Sequence, residues 1–195
     1  MINDATSSND AVHARSGTRD AVSDNTQAKG RFKFDCYRMI NGVRELVWSE
    51  EIQNTVTTEG KNALLDKGLS ASGYTAAVYI GLISSVGYVS APAVGDTMAL
   101  HPNWKEAGTT NAPTFAARVA VTFAAASGGT KATSSSSNFT FTGAGTIKGA
   151  LVCFNGATSV ILNTTGSLYS GALFASDKNV EANDIIQVSY STTLI

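Results

Sequence analysis

The chain has 195 residues and a formal net charge of -1, with a pI near 6.1, so it lacks the basic face a nucleic-acid binder needs. Hydrophobic residues reach 43%, enough for a core, while charged residues stop at 15%, against roughly 25% in an average soluble domain. Catalysis gathers titratable groups at shifted pKa values. Between Gly68 and Ser176 only Asp96, Lys105, Glu106, Arg118, Lys131 and Lys148 are charged, which points to a structural or binding β-protein and away from an enzyme.

Residues 1–30 scatter Met1, Ile2, Val12 and Val22 among Asn, Asp, Ser, Thr and Arg. Such a segment buries too little apolar surface to offset its ordering entropy. It is expected to be an extended or disordered arm, with Val12 and Val22 as the residues it would offer to a partner. No basic segment followed by an apolar one opens the chain, so no leader peptide is expected. No apolar run reaches bilayer length, so no membrane association is expected. Residues 31–195 are expected to form one domain. Cys36 and Cys153 are too few for a disulfide scaffold and are expected to be buried free thiols.

Phe32, Phe34 and Cys36 alternate with Lys33, Asp35 and Tyr37, the period of a half-buried strand. Asn41-Gly42 tolerates the positive φ of a type I′ turn, and Val43 to Trp48 returns, giving a hairpin over 31–48. Trp48 is expected in the core. A helix is predicted near 57–67, capped by Thr57 or Thr58, with Glu59 in its first turn, Gly68 at its C′ position and a stripe of Val56, Ala63 and Leu64. Gly60-Lys61 is no phosphate loop, because Thr55 stands where the first glycine belongs and Asn62 replaces the magnesium-binding hydroxyl.

Strands are then expected at Ala76–Ile83, Arg118–Phe123, Asn138–Thr142, Ile147–Phe154, Val160–Leu162, Leu168–Phe174 and Ile186–Thr192, punctuated by glycine pairs and Asn-Gly or Asn-Asp turns. Ser134 to Ser137 reads as a surface turn. The pattern is mainly β, a jelly roll or β-sandwich with one short helix. Residues 84–113 form a long irregular passage, and a loop of that length usually has a function. Tyr88, Met98 and Trp104 are its candidate partner contacts. The Trp104 ring is either pinned inward to hold the loop or offered outward.

His101 between Asp96 and Glu106 matches no metal-ligand spacing and reads as a solvated loop, so no metal or other cofactor is expected. No serine lies in a nucleophile elbow. Glu50 and Glu51, as neighbours, point apart and cannot face each other across a cleft.

Several segments in order carry a resemblance: Trp48-Ser49-Glu50-Glu51-Ile52, Thr57-Thr58-Glu59-Gly60-Lys61-Asn62-Ala63-Leu64-Leu65-Asp66, Tyr79-Ile80-Gly81-Leu82-Ile83, Asp96-Thr97-Met98 with Trp104 and Glu106-Ala107, and Asn183-Asp184 before Val188-Ser189-Tyr190. Over about residues 30–195 the chain resembles small virion proteins of tailed bacteriophages whose better-described relatives are jelly-roll capsid decoration (cement) proteins. The resemblance implies a homo-oligomer, a dimer before a trimer, on the outside of the head and bridging subunits of the major capsid protein. It carries no catalytic residue. The alternative is a tail or head-fibre component with 84–113 as its receptor tip. A lectin or sugar-processing jelly roll would need Asp96 and Glu106 as ligands.

Overall fold

The computed structural model describes residues 27–70 and 77–195. The predicted arm contacts Val12 and Val22, and the first residue of the predicted strand Ala76–Ile83, lie outside that range.

The alternating segment forms β1 (Ala28–Ile40), which turns into β2 (Val43–Gln53). Asn41 and Gly42 have φ of 52° and 82°, both left-handed, as the type I′ turn requires. The hairpin is longer than 31–48 at both ends. Ala28, Lys29 and Gly30 already pair with Leu194, Thr193 and Thr192, so the predicted boundary at residue 30 falls inside a strand. Cys36 pairs with Trp48 and Tyr37 with Leu46, which leaves Val47 as the extra residue of a bulge.

A two-residue strand, β3 (Thr55–Val56), leads into α1 (Thr58–Leu69). Thr57 is the N-cap: its Oγ1 accepts from Gly60 N at 3.0 Å and donates to the Leu168 carbonyl at 2.5 Å. Gly60 is where it is because a Cβ there would sit 2.6 Å from the Tyr169 carbonyl oxygen. The helix does not stop at Gly68. It runs through it to Leu69, and the Ser70 N–H closes on the Asp66 carbonyl; an internal glycine costs a helix only about 1 kcal/mol. Ala63 is buried as predicted, but Leu64 is 39% exposed and outside the stripe.

The remaining elements are β4 (Val78–Ser84), β5 (Val119–Val121), β6 (Thr130–Ala132), β7 (Ser137–Thr140), β8 (Gly145–Phe154), β9 (Ser167–Val180) and β10 (Ile185–Leu194). Neither β3 nor β6 stood out in the sequence. The predicted strand Val160–Leu162 is a turn: Leu162 has φ of 63°, which no strand residue adopts, and its N–H is taken by a side chain described below.

One sheet has the order β2-β1-β10-β6, with β7 also on β10; the other has β3-β9-β8-β4-β5. Every pairing is antiparallel. The connections β2–β3, β5–β6, β7–β8 and β9–β10 cross between sheets, and the result is a β-sandwich. Its core lies between the two sheets, built on Phe32, Phe34, Ile80, Leu82, Phe139 and Phe141, each at most 1% exposed. Full burial of one such side chain contributes roughly 1.5–3 kcal/mol.

The two sheets differ on their outer faces. β1 alternates buried and exposed residues, so the outer face of its sheet meets water. β8 is buried almost continuously from Ile147 to Phe154, as is β4. A strand buried on both faces loses its alternation. Something therefore covers the second sheet from outside.

Candidate functional site

The cover is the long passage between β4 and β5. A second apolar cluster joins Ile83, Leu151, Cys153 and Leu168 from the outer face of the sheet to Met98 and Trp104 from the passage. Met98 and Trp104 are each 1% exposed. Of the two placements open to the Trp104 ring, it takes the inward one. Neither side chain reaches the surface to touch a partner, and of the three candidate contacts in this passage only Tyr88 is half-exposed, with Lys148 Nζ 5.0 Å from its ring centre.

Carboxylates hold this layer down. Asp96 Oδ2 accepts from Trp104 Nε1 at 2.7 Å and from Ala93 N at 3.0 Å. Glu59, at the start of α1, accepts from Met98 N at 2.9 Å and Leu168 N at 2.6 Å, tying helix, passage and β9 to one oxygen. His101 stacks on Trp104 with centroids 3.9 Å apart, and its Nδ1–H donates to the Trp104 carbonyl at 3.1 Å. Along the inner side of the layer, Ser84 N bonds to Lys105 O and Ala107 N to Leu82 O, so the passage runs beside β4 much as an extra strand would.

At the end of the layer Glu106 meets Arg118. Both are buried, and the guanidinium makes paired bonds of 2.7 and 2.8 Å to the two carboxylate oxygens. Arg118 also donates to the carbonyls of Thr158 and Asn163, and Glu106 accepts from Leu162 N at 2.8 Å. This explains the turn at 160–162: its backbone is fixed by an ion pair from elsewhere in the chain. Burial opposes the Arg118 charge, but Glu106 more than offsets it and holds the guanidinium protonated. Gly81 lies beneath, where a Cβ would come within 2.5 Å of Glu106 Oε1. The expectation that Asp96, His101 and Glu106 form a solvated loop is therefore wrong for the two acids. They are 6% and 1% exposed, and Asp96 Oδ2 and both Glu106 oxygens accept from donors of the chain itself.

A second ion pair closes the opposite sheet. Arg38 grips Asp184 with two bonds of 2.7 Å, fixing the β1–β2 hairpin to the β9–β10 turn. Burial opposes the Asp184 charge, yet Arg38 and the Glu181 N–H keep its carboxyl below the usual carboxylate range. Cys36 and Cys153 are buried free thiols, each pushed up to about 12, chiefly by burial.

Among the described residues no group of three His, Cys, Asp or Glu could hold a metal ion. An open groove of about 770 Å³ runs along α1 past Asn62, Asp66, Thr97 and Asn155. Exposed apolar side chains lie on α1 at Leu65 and Leu69, on the passage at Val89 and Leu100, and along the hairpin. Met39, Ile40, Val43, Leu46 and Val47, all in the β1–β2 hairpin, are 40–60% exposed. Sequence reading passed over them, although the spacing of Val43, Leu46, Val47 and Trp48 does not alternate and cannot place them all inward. Trp48 does turn in, half-buried and edge-on to Phe174 at 5.6 Å.

These features define an antiparallel β-sandwich with one outer face sealed by a stapled layer and the other open. No family model, curated protein or solved structure matches the chain.

Proposed function

We propose that the chain is a virion structural protein of a tailed bacteriophage, a decoration or cement protein that binds the outside of the head and bridges major-capsid subunits. The observation that carries this reading is the use made of its few ionisable groups. Glu59, Asp96, Glu106, Arg118, Arg38 and Asp184 hold the sandwich together, and the open sheet presents Met39, Val43, Leu46 and Val47 beside Lys33 and Glu51 to the outside. Such a surface binds by shape and buried apolar area, about 25 cal/mol per Å² before association costs, multiplied by avidity on a repeating lattice. The ordered set of motifs that resembles decoration proteins supports the same reading. The partner is a protein, with no cofactor, nucleic acid or membrane involved, and the place of action is the capsid surface after synthesis in the host cytoplasm.

A receptor-binding fibre tip built on 84–113 would want Trp104 at the surface, and that ring is buried. A lectin built on Asp96 and Glu106 would want exposed carboxylates free to take a ligand. Both are buried, with both Glu106 oxygens held by Arg118 and Asp96 Oδ2 held by Trp104 and Ala93. The test is to mix purified protein with undecorated phage heads and sediment them. Co-sedimentation at micromolar concentration, with a fixed copy number per head, is expected. Protein left in the supernatant at that concentration would overturn the proposal.

A further inference from the structure

The open face of the β1–β2 hairpin is complementary to itself. Tyr37, Met39, Leu46 and Arg44 share its outer surface near the tip, and Asp35, Lys33, Ser49 and Glu51 continue it toward the other end, because Tyr37 pairs with Leu46, Met39 with Arg44, Asp35 with Ser49 and Lys33 with Glu51. Met39, Leu46, Lys33 and Glu51 are all more than half exposed. Within the chain Glu51 meets Arg31 at 3.2 Å, Lys33 lies 3.8 Å from Asp35, and the Arg44 guanidinium lies 4.0 Å over the Tyr37 ring. These are exposed ion pairs and a surface stack that a second copy can exchange. A two-fold axis laid along the ladder between the two strands stacks each residue on its own cross-strand partner from a second copy. Tyr37 then faces Leu46, Met39 faces the stem of Arg44, Asp35 faces Ser49 and Lys33 faces Glu51. Each contact occurs twice, and no like charges are opposed.

We infer that this face is the interface of a homodimer, two copies packing sheet on sheet through β1 and β2. Sheets packed this way lie about 10 Å apart with strands within about 30° of alignment. A contact on itself is what a two-fold interface demands. The bulge at Val47 disrupts the free edge of β2 and disfavours the alternative of strand added to strand. The contact is smaller than the roughly 20–30 residues a side of a standard interface, so a micromolar dissociation constant is expected. The inference does not rest on the capsid reading, because it is measured on the isolated protein.

Sedimentation equilibrium of the full chain is expected to give about twice the 20.2 kDa monomer mass at tens of micromolar. Leu46→Asp should leave the melting temperature and circular dichroism unchanged and weaken the dimer about tenfold or more. Lys33→Glu and Glu51→Lys each place like charges opposite each other and should weaken self-association about tenfold. An equimolar mixture of those two variants should regain the wild-type constant, since the acid introduced in one copy then meets the base introduced in the other. A role confined to the monomer's own sheet would not be rescued by mixing. A monomer at all concentrations, a trimer, a dimer indifferent to Leu46→Asp, or no rescue on mixing would each overturn the inference.

Discussion

Glu106 and Arg118 have exchanged water for each other, and that exchange sets what each is worth. A buried ion pair gains little over an apolar pair of the same volume, but breaking it strands a charge. Glu106→Gln should therefore lower unfolding free energy by about 3–5 kcal/mol in urea titration, and Glu106→Met with Arg118→Leu should cost less than the single change. Asp184 gives a pH signature. Its folded pKa lies below its ordinary value of 3.8, so the stabilisation is complete above that value and is lost as pH falls through the lower folded one. Wild-type stability should drop steeply below about pH 4, whereas Asp184→Asn should be weaker at pH 7 and flatter in acid. The thiols of Cys36 and Cys153, held neutral by burial, should resist alkylation at pH 8 in the native protein and react together once urea unfolds it.

At the scale of elements, α1 hangs from Thr57, which both caps the helix and bonds to the Leu168 carbonyl on β9. Thr57→Val should cost about 1–2 kcal/mol in thermal melts. Gly81→Ala should push Glu106 off its seat and destabilise the whole covering layer, visible as faster hydrogen exchange at Ser84 and Ala107. Much of this level was legible beforehand. The alternation of Phe32, Phe34 and Cys36 marked a strand with one wet face, and the strand expected at Ala76–Ile83 is present as β4 from Val78. Thr57 and Glu59 marked a helix start through local chemistry. The layer was not legible. Asp96 with Trp104, and Glu106 with Arg118 and Leu162, are joined by folding rather than by period, and a buried acid looks the same in sequence as a solvated one. The extra strands β3 and β6 are too short to show a period at all.

For the molecule as a whole, the asymmetry of its two outer faces organises both proposals. One sheet is roofed by the chain's own passage, so its aromatic residues are spent on stability; the other keeps a mixed apolar and charged hairpin in water. If the hairpin face pairs copies, the roofed face and the sandwich ends remain for a shell beneath. The Leu46→Asp monomer should then still bind undecorated heads, but with lower apparent affinity because each event engages one copy instead of two. Titration of heads with wild type and variant, read by sedimentation, measures the difference. Lastly, β1 has β2 beside it within a few residues, but its other neighbour is β10, distant in sequence, so that Phe34 pairs with Val188. A chain emerging from the ribosome therefore holds Phe32 and Phe34 in an unfinished sheet until β10 has been made. Refolding should accordingly be slow, in milliseconds to seconds, and a chain cut before Ile185 should fail to fold at all.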